Sequence, residues 1–229
     1  METFVTTFRW IHIAAGMLAL GLAPLALLTA KGGRAHRRWG KIYFWAMAVV
    51  ASTAVVLALW RPQIFLALLA VFSFYMAFAG YRVLGRKRPD HGQGPRALDW
   101  AAALVTFAVS AALVVLGLVR PGASWQRLGI VPVVFGILGT VLSGLDIAKF
   151  VRPPADRNAW WFAHMAGMLG SYIATVSAFS VVNFTFLPLA VRWLWPTAIG
   201  TPLIALWITV YKIRFRRATG ARVEAAPAN

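Results

Sequence analysis

Apolar residues run along this chain in blocks of about twenty, and the blocks are separated by short clusters of Arg, Lys, Gly and Pro. A hydrocarbon core ~30 Å thick is crossed by about 20 helical residues. Seven blocks meet or approach that length: residues 10–30, 42–60, 63–81, 98–119, 128–150, 160–183 and 197–211. Their ends have chemical causes. Lys31-Gly32-Gly33 closes the first, and Arg61-Pro62 closes the second because proline cannot continue the hydrogen-bond ladder. The segment from Pro89 to Pro95 reads as a loop, Arg120-Pro121-Gly122 as a turn, and Arg152-Pro153-Pro154 as a terminator. An apolar connector with Pro188, Trp195 and Pro196 precedes the seventh block, whose start is blurred by Gly200 and Pro202.

The pattern predicts an all-α polytopic bundle with seven spans. One transmembrane domain covers residues 1–217, and a basic, then Ala/Pro-rich tail over 218–229 is expected to be disordered. Composition agrees: 60% of the 229 residues are hydrophobic and only six are acidic, too few to cover a soluble surface. The first block is too long for a signal-peptide core, and its flanking charges are reversed, with Arg9 before it and five cations after it; it reads as a retained helix.

The net charge of +17 would ordinarily raise nucleic acid as a partner. Its distribution argues for topology instead. Taking the connections alternately, 18 of the 23 Lys and Arg residues fall on one side of the bundle and 5 on the other. By the positive-inside rule this puts the N-terminus outside and the C-terminus in the cytoplasm of a bacterial-type inner membrane, which an odd number of spans requires. Trp10, Trp60, Trp100, Trp160 and Trp161 stand at block ends, where interfacial anchors belong. The chain has no cysteine, which excludes disulfides, iron–sulfur clusters and thiolate metal sites.

Ionisable groups inside spans are costly and are functional candidates for that reason. His36 stands just before the second span, Asp146 about a turn from the end of the fifth, and His164 about a turn into the sixth, all in one leaflet. His12 belongs to the opposite leaflet, where Asn183 shares its depth; about 24 helical residues, roughly 36 Å, separate it from His36. On the sixth span, Ala163, Gly167, Gly170, Ala174 and Ala178 form a small-residue stripe beside a polar or soft stripe of His164, Met168, Ser171 and Thr175. On the fifth, Gly136, Gly139, Ser143 and Asp146 share a side, so these two helices are expected to line any cavity.

Three chemistries fit such residues: haem b ligated by His36 and His164, a divalent metal held by His36, Asp146 and His164, and a proton or solute path through Asp146 and His164. Structural readings stand beside them. Asp146 and Lys149 are spaced for an intrahelical ion pair, His164 can hydrogen-bond a neighbouring helix, and His91 reads as a solvated loop residue. The loop cations read as topogenic groups and lipid-headgroup contacts. No lysine lies deep in the last span, and no phosphate loop, nucleophile elbow or His-Glu-x-x-His motif occurs.

His12, the Gly21-x-x-Pro24 step, and Lys31-Gly-Gly-Arg-Ala-His-Arg-Arg-Trp-Gly-Lys-Ile-Tyr43 together resemble bacterial predicted membrane proteins grouped only as a domain of unknown function. Those proteins share a first-helix histidine and a His-Arg-x-x-Gly-Arg/Lys-x-Tyr segment opening the second helix. The likeness covers most spans, with its specific part within residues 12–43. It implies that His12, His36, Gly40 and Tyr43 are the positions to examine, and it implies no activity. The expectation is a non-catalytic integral membrane protein acting as scaffold, assembly partner or lipid-contacting component. Its partners are the bilayer and another membrane protein, with no nucleic acid. The alternative is a haem- or metal-binding redox protein, followed by a transporter.

Overall fold

The computed structural model describes residues 2–60, 63–88 and 91–224, with side chains to residue 217. Among the described residues the chain is all-α: α1 (Glu2–Leu28), α2 (Arg34–Trp60), α3 (Ile64–Arg82), α4 (Ala97–Val119), α5 (Ala123–Leu128), α6 (Val131–Val151), α7 (Ala159–Asn183) and α8 (Leu189–Glu224). A 3₁₀ turn, Val83–Gly85, extends α3. All but the six-residue α5 are long and apolar enough to cross a membrane. The protein is a multi-pass membrane protein of seven spans.

Three boundaries differ from the sequence reading. α2 begins at Arg34, so His36 sits in its first turn and not in a loop. A short helix, α5, forms before the fifth block, and the span itself starts at Val131 after Gly129, whose φ of +59° lies in the left-handed region. α8 begins at Leu189 and takes in the connector, passing through Pro196 and Pro202. At the start of α8, Arg192 donates from Nε to the Leu187 carbonyl (2.6 Å) and also to that of Thr185, and Trp195 Nε1 donates to Ser180 Oγ on α7 (2.8 Å), which ties the helix to the preceding turn and to α7. The helix continues to Glu224, past the start of the expected tail, while residues 225–229 lie outside the described residues.

α3 is the axis of the bundle. One of its faces joins α1 and α2 through Ala77, which packs with Leu22, Ala23, Tyr43, Phe44 and Met47. The other carries Phe65, Leu69, Phe72 and Met76 against Leu113, Trp125, Phe135 and Trp193. Apolar burial does little to hold helices together in lipid, so close backbone approach must contribute. Gly80 and Gly167 supply it between α3 and α7: a Cβ on Gly167 would lie 2.7 Å from the Met76 carbonyl oxygen and 2.8 Å from Gly80 Cα.

Gly136, Gly139 and Ser143 are all buried, and Gly136 and Gly139 approach Ser110 and Val114 of α4. This part of the fifth-span stripe therefore seals α6 to α4 and does not line a cavity. At the end of the bundle that carries most of the cations, called the basic face below, Lys31 caps α1 by donating to the Leu27 carbonyl, and partial burial lowers its pKa from the usual lysine value.

Candidate functional site

α7 carries two sets of candidate residues on different sides. Its polar stripe faces α2. Tyr43 OH and Ser171 Oγ are 2.7 Å apart, Thr175 Oγ1 donates to Met47 Sδ at 3.3 Å, and the His36 and His164 ring centroids are 6.3 Å apart with the rings at 77°. Each of these pairs is separated by 128 positions in the chain. A constant offset means that α2 and α7 run parallel and in register, so one turn of each meets the same turn of the other. His36, Tyr43, His164, Ser171 and Thr175 are thus brought together in a single seam.

Backbone carbonyls hold both rings of the histidine pair. His36 Nδ1 lies 3.0 Å from Ala26 O on α1, and His164 Nδ1 lies 2.7 Å from Gly80 O on α3. The bond to a neighbouring helix expected of His164 is therefore present. His12 is placed elsewhere: its Nδ1 meets Val50 O (3.1 Å) and Thr53 Oγ1 (3.0 Å) on α2. The pairing with Asn183 suggested by depth is not formed, because Asn183 Nδ2 donates to Phe179 O one turn back on its own helix. Of the positions marked by the resemblance, His12, His36 and Tyr43 each contact another helix, while a Cβ on Gly40 would meet nothing within 4 Å.

The Tyr43–Ser171 bond gives a modest prediction. Interhelical hydrogen bonds in membranes average about 0.6 kcal/mol. Tyr43→Phe is expected to cost no more than about 1 kcal/mol in reversible micelle unfolding, and a loss of several kcal/mol would show that the hydroxyl has another role.

The small-residue side of α7 borders a cavity of about 1360 Å³. Ala163, Gly167, Gly170 and Ala174 of the small-residue stripe form this wall, with α3, α6 and α8 opposite. On α8 the lining runs from Thr197 to Lys212, fifteen residues and so about 22 Å of helix. Away from the mouth the lining is mostly apolar, with Phe72, Met76, Phe135, Leu142 and Ile204, and Thr197 and Thr201 interrupt it on α8. Its mouth is at the basic face and carries Arg86, Lys87, Arg88, Lys149, Arg157 and Lys212 against Asp146 and Asp156. α6 and α8 barely touch, which leaves the cavity a lateral side.

Asp146 belongs to this cavity and not to the histidine seam. It accepts from Tyr75 OH (3.0 Å) and from Lys149 (2.9 Å), the ion pair its spacing suggested. The expected triad of His36, Asp146 and His164 is not assembled: among the described residues no three His, Cys, Asp or Glu side chains come close enough to hold a metal together. Asp146 lines the cavity and His164 does not. Tyr75 hands Asp146 to the α3 side, and His164 uses its Nδ1 on Gly80.

Two functional groups escaped the sequence reading. Asp99, in the first turn of α4, is almost wholly buried. It accepts a bidentate pair from Arg82 Nε and Nη2 (both 2.9 Å) and a bond from the Arg96 backbone N–H (2.9 Å). Arg86 then stands at the cavity mouth with its Nη1 4.0 Å from Asp99 and its guanidinium 4.7 Å from the Phe150 ring centroid, while its Nε is buried without a hydrogen-bond partner. A lone acid seventeen positions from Arg82 carries no spacing signal. The only hint is that so few acids stand among so many cations. Compared with protein-family models, curated proteins and solved structures, the chain matches none, and its function is read from these side chains.

Proposed function

We propose that this protein binds an amphiphile with an anionic head group and a long apolar tail, taken from the lipid phase, and that it handles this ligand without chemical conversion. By the positive-inside rule the mouth faces the cytoplasm of a bacterial-type inner membrane, with the N-terminus outside. The observation that carries the proposal is the cavity with Arg86 at its mouth. At about 1360 Å³ it exceeds the ~300–1000 Å³ usual for small-molecule pockets. Its length of about 22 Å along α8 is greater than the ~15 Å of one leaflet's hydrocarbon.

The chemistry of the two ends differs in the way an amphiphile requires. Six cations face two carboxylates at the mouth, and one of those carboxylates is already paired with Lys149. Arg86 has a free buried donor, and a guanidinium is suited to carboxylate or phosphate oxygens. Further in, the lining offers methyl, methylene and aromatic surface. The thin α6–α8 contact supplies a route from the bilayer that spares the charged head a passage through the helices.

Brominated acyl chains quench tryptophan on contact, and Trp160 lines the mouth. Detergent-solubilised protein is expected to show saturable quenching by a brominated fatty acid or lysophosphatidate, reduced in Trp160→Phe. Arg86→Gln should weaken the anionic ligand about tenfold, the effect of losing one charge-assisted bond of ~1.4 kcal/mol, and leave a zwitterionic lysolipid unchanged. Leu142→Trp with Thr201→Trp should fill the cavity and reduce binding of both. Equal affinity for anionic and zwitterionic chains, or indifference to the two tryptophans, would overturn the proposal.

A further inference from the structure

We infer that His36 and His164 form a two-imidazole site for a single monovalent soft metal ion of the copper(I) type, held between their Nε2 atoms. The site is independent of the cavity, from which both rings are absent.

The tautomer of each ring follows from its partner. A carbonyl oxygen can only accept, so His36 donates its Nδ1–H to Ala26 O and His164 donates its Nδ1–H to Gly80 O. In its neutral form each ring presents an unprotonated Nε2 lone pair, turned away from α1 in one case and from α3 in the other. Fixing a histidine through Nδ1 on a backbone carbonyl is how metal-ligating imidazoles are oriented. Two rings prepared in this way meet at the same helical turn of α2 and α7.

Their separation selects the coordination geometry. Nε2 lies about 1.1 Å from the ring centroid, so rings 6.3 Å apart bring the two nitrogens to about 4 Å from each other when they are turned inward on one ion. That is twice a metal–imidazole bond of ~2.0 Å, which corresponds to ligands on opposite sides of one ion. A tetrahedral ion would need the nitrogens at about 3.3 Å and the rings drawn together. The 77° between the ring planes is no obstacle, since two collinear ligands can take any twist.

Charge selects the ion. No third His, Cys, Asp or Glu joins the pair among the described residues. Lys87 is close enough to act electrostatically on His164, and Arg34, Arg37 and Arg38 are on the His36 helix near its start. A divalent ion would stand here without a compensating carboxylate, and its desolvation cost, which grows as the square of the charge, is about four times that of a monovalent one. Copper(I) accepts imidazole nitrogen and is stable with two opposed ligands, so it needs nothing the chain lacks. The cavity described above does not include the rings, which favours a bare ion over a haem macrocycle.

The test is an anaerobic titration of the purified full chain with copper(I) against a competing chelator, with silver(I) as the redox-inert probe. One ion per chain is expected, with two nitrogen scatterers at about 2.0 Å and no sulfur in the absorption fine structure. His36→Gln and His164→Gln should each weaken binding at least a hundredfold, and His12→Gln should not change it. With ¹⁵N-histidine in the wild-type chain, silver(I) should shift the Nε2 resonances of two histidines only, a readout that does not depend on a variant folding. Sulfur ligation, a shift of His12 or His91, or absence of binding overturns the inference. Co-purification with a haem band lost in His164→Gln would overturn the bare-ion assignment as well.

Discussion

Replacing Asp99 with Asn is expected to destabilise the bundle by about 3 kcal/mol, the order of cost of breaking a buried ion pair by removing one partner. The Asp99 side chain is 1% exposed, and the guanidiniums it holds are 29% exposed for Arg82 and 13% for Arg86. Asn keeps the shape and can still accept from the Arg96 N–H, so the change isolates the charge. What remains is two guanidiniums facing a neutral amide in a region of low dielectric. For a domain of this size the loss corresponds to a fall in midpoint of roughly 6–12 °C, read by thermal unfolding in detergent. Adding Arg82→Gln should recover part of it, because the second substitution removes an uncompensated charge. An unchanged midpoint, or additive losses in the double variant, would show that the pair contributes nothing to the fold.

The second large effect is expected at Gly167. In Gly167→Ala the new Cβ would meet backbone atoms, Met76 O at 2.7 Å and Gly80 Cα at 2.8 Å, and no rotamer change can relieve either contact. α3 and α7 must separate, and the His164–Gly80 bond weakens with them. Overpacking of this kind costs about 1–3 kcal/mol. A leucine there should prevent recovery of monodisperse protein. Gly170→Ala, one turn on, is the control. Its Cβ would meet Met76 Sδ at 2.9 Å, the far end of a flexible side chain, so it should cost much less. Gly16→Ala and Gly21→Ala, with nothing within 4 Å of the added Cβ, should be neutral or slightly stabilising, since Ala is about 1 kcal/mol better than Gly inside a helix. Equal effects at all four positions would contradict the close-approach account.

These glycines mark where one-dimensional reading stops. All sit in apolar helices with similar neighbours, and only the crossing of α3 with α7 separates Gly167 from Gly16. The Gly136, Gly139 and Ser143 stripe was visible as a stripe, but which helix it would meet was not. It met α4, so the cavity wall on α6 came from Leu138, Leu142 and Asp146. The proline connector misled for a physical reason. Proline removes a donor, and whether a helix survives that loss depends on what else can satisfy the freed carbonyls. Here α8 runs through Pro196 and Pro202, with its first turns tied by Arg192 to the Leu187 carbonyl and by Trp195 to Ser180 of α7.

What the chain settles without its fold is whatever depends on local free energy of transfer. A block of twenty apolar residues must be helical across a membrane, because an unpaired peptide group there is too costly, and this alone accounts for seven spans and their approximate limits. Depth along a helix is also a local quantity, so His36 and His164 could be placed at one level from residue counting. What faces what is not local. That α2 and α7 run parallel with a constant offset, that the rings of His36 and His164 meet, and that Asp146 turns from them to Tyr75 and a cavity all follow from how helices rotate about their axes when they pack. Rotation is decided by small residues and buried polar pairs that lie far apart in the chain, and only the tertiary structure brings those together.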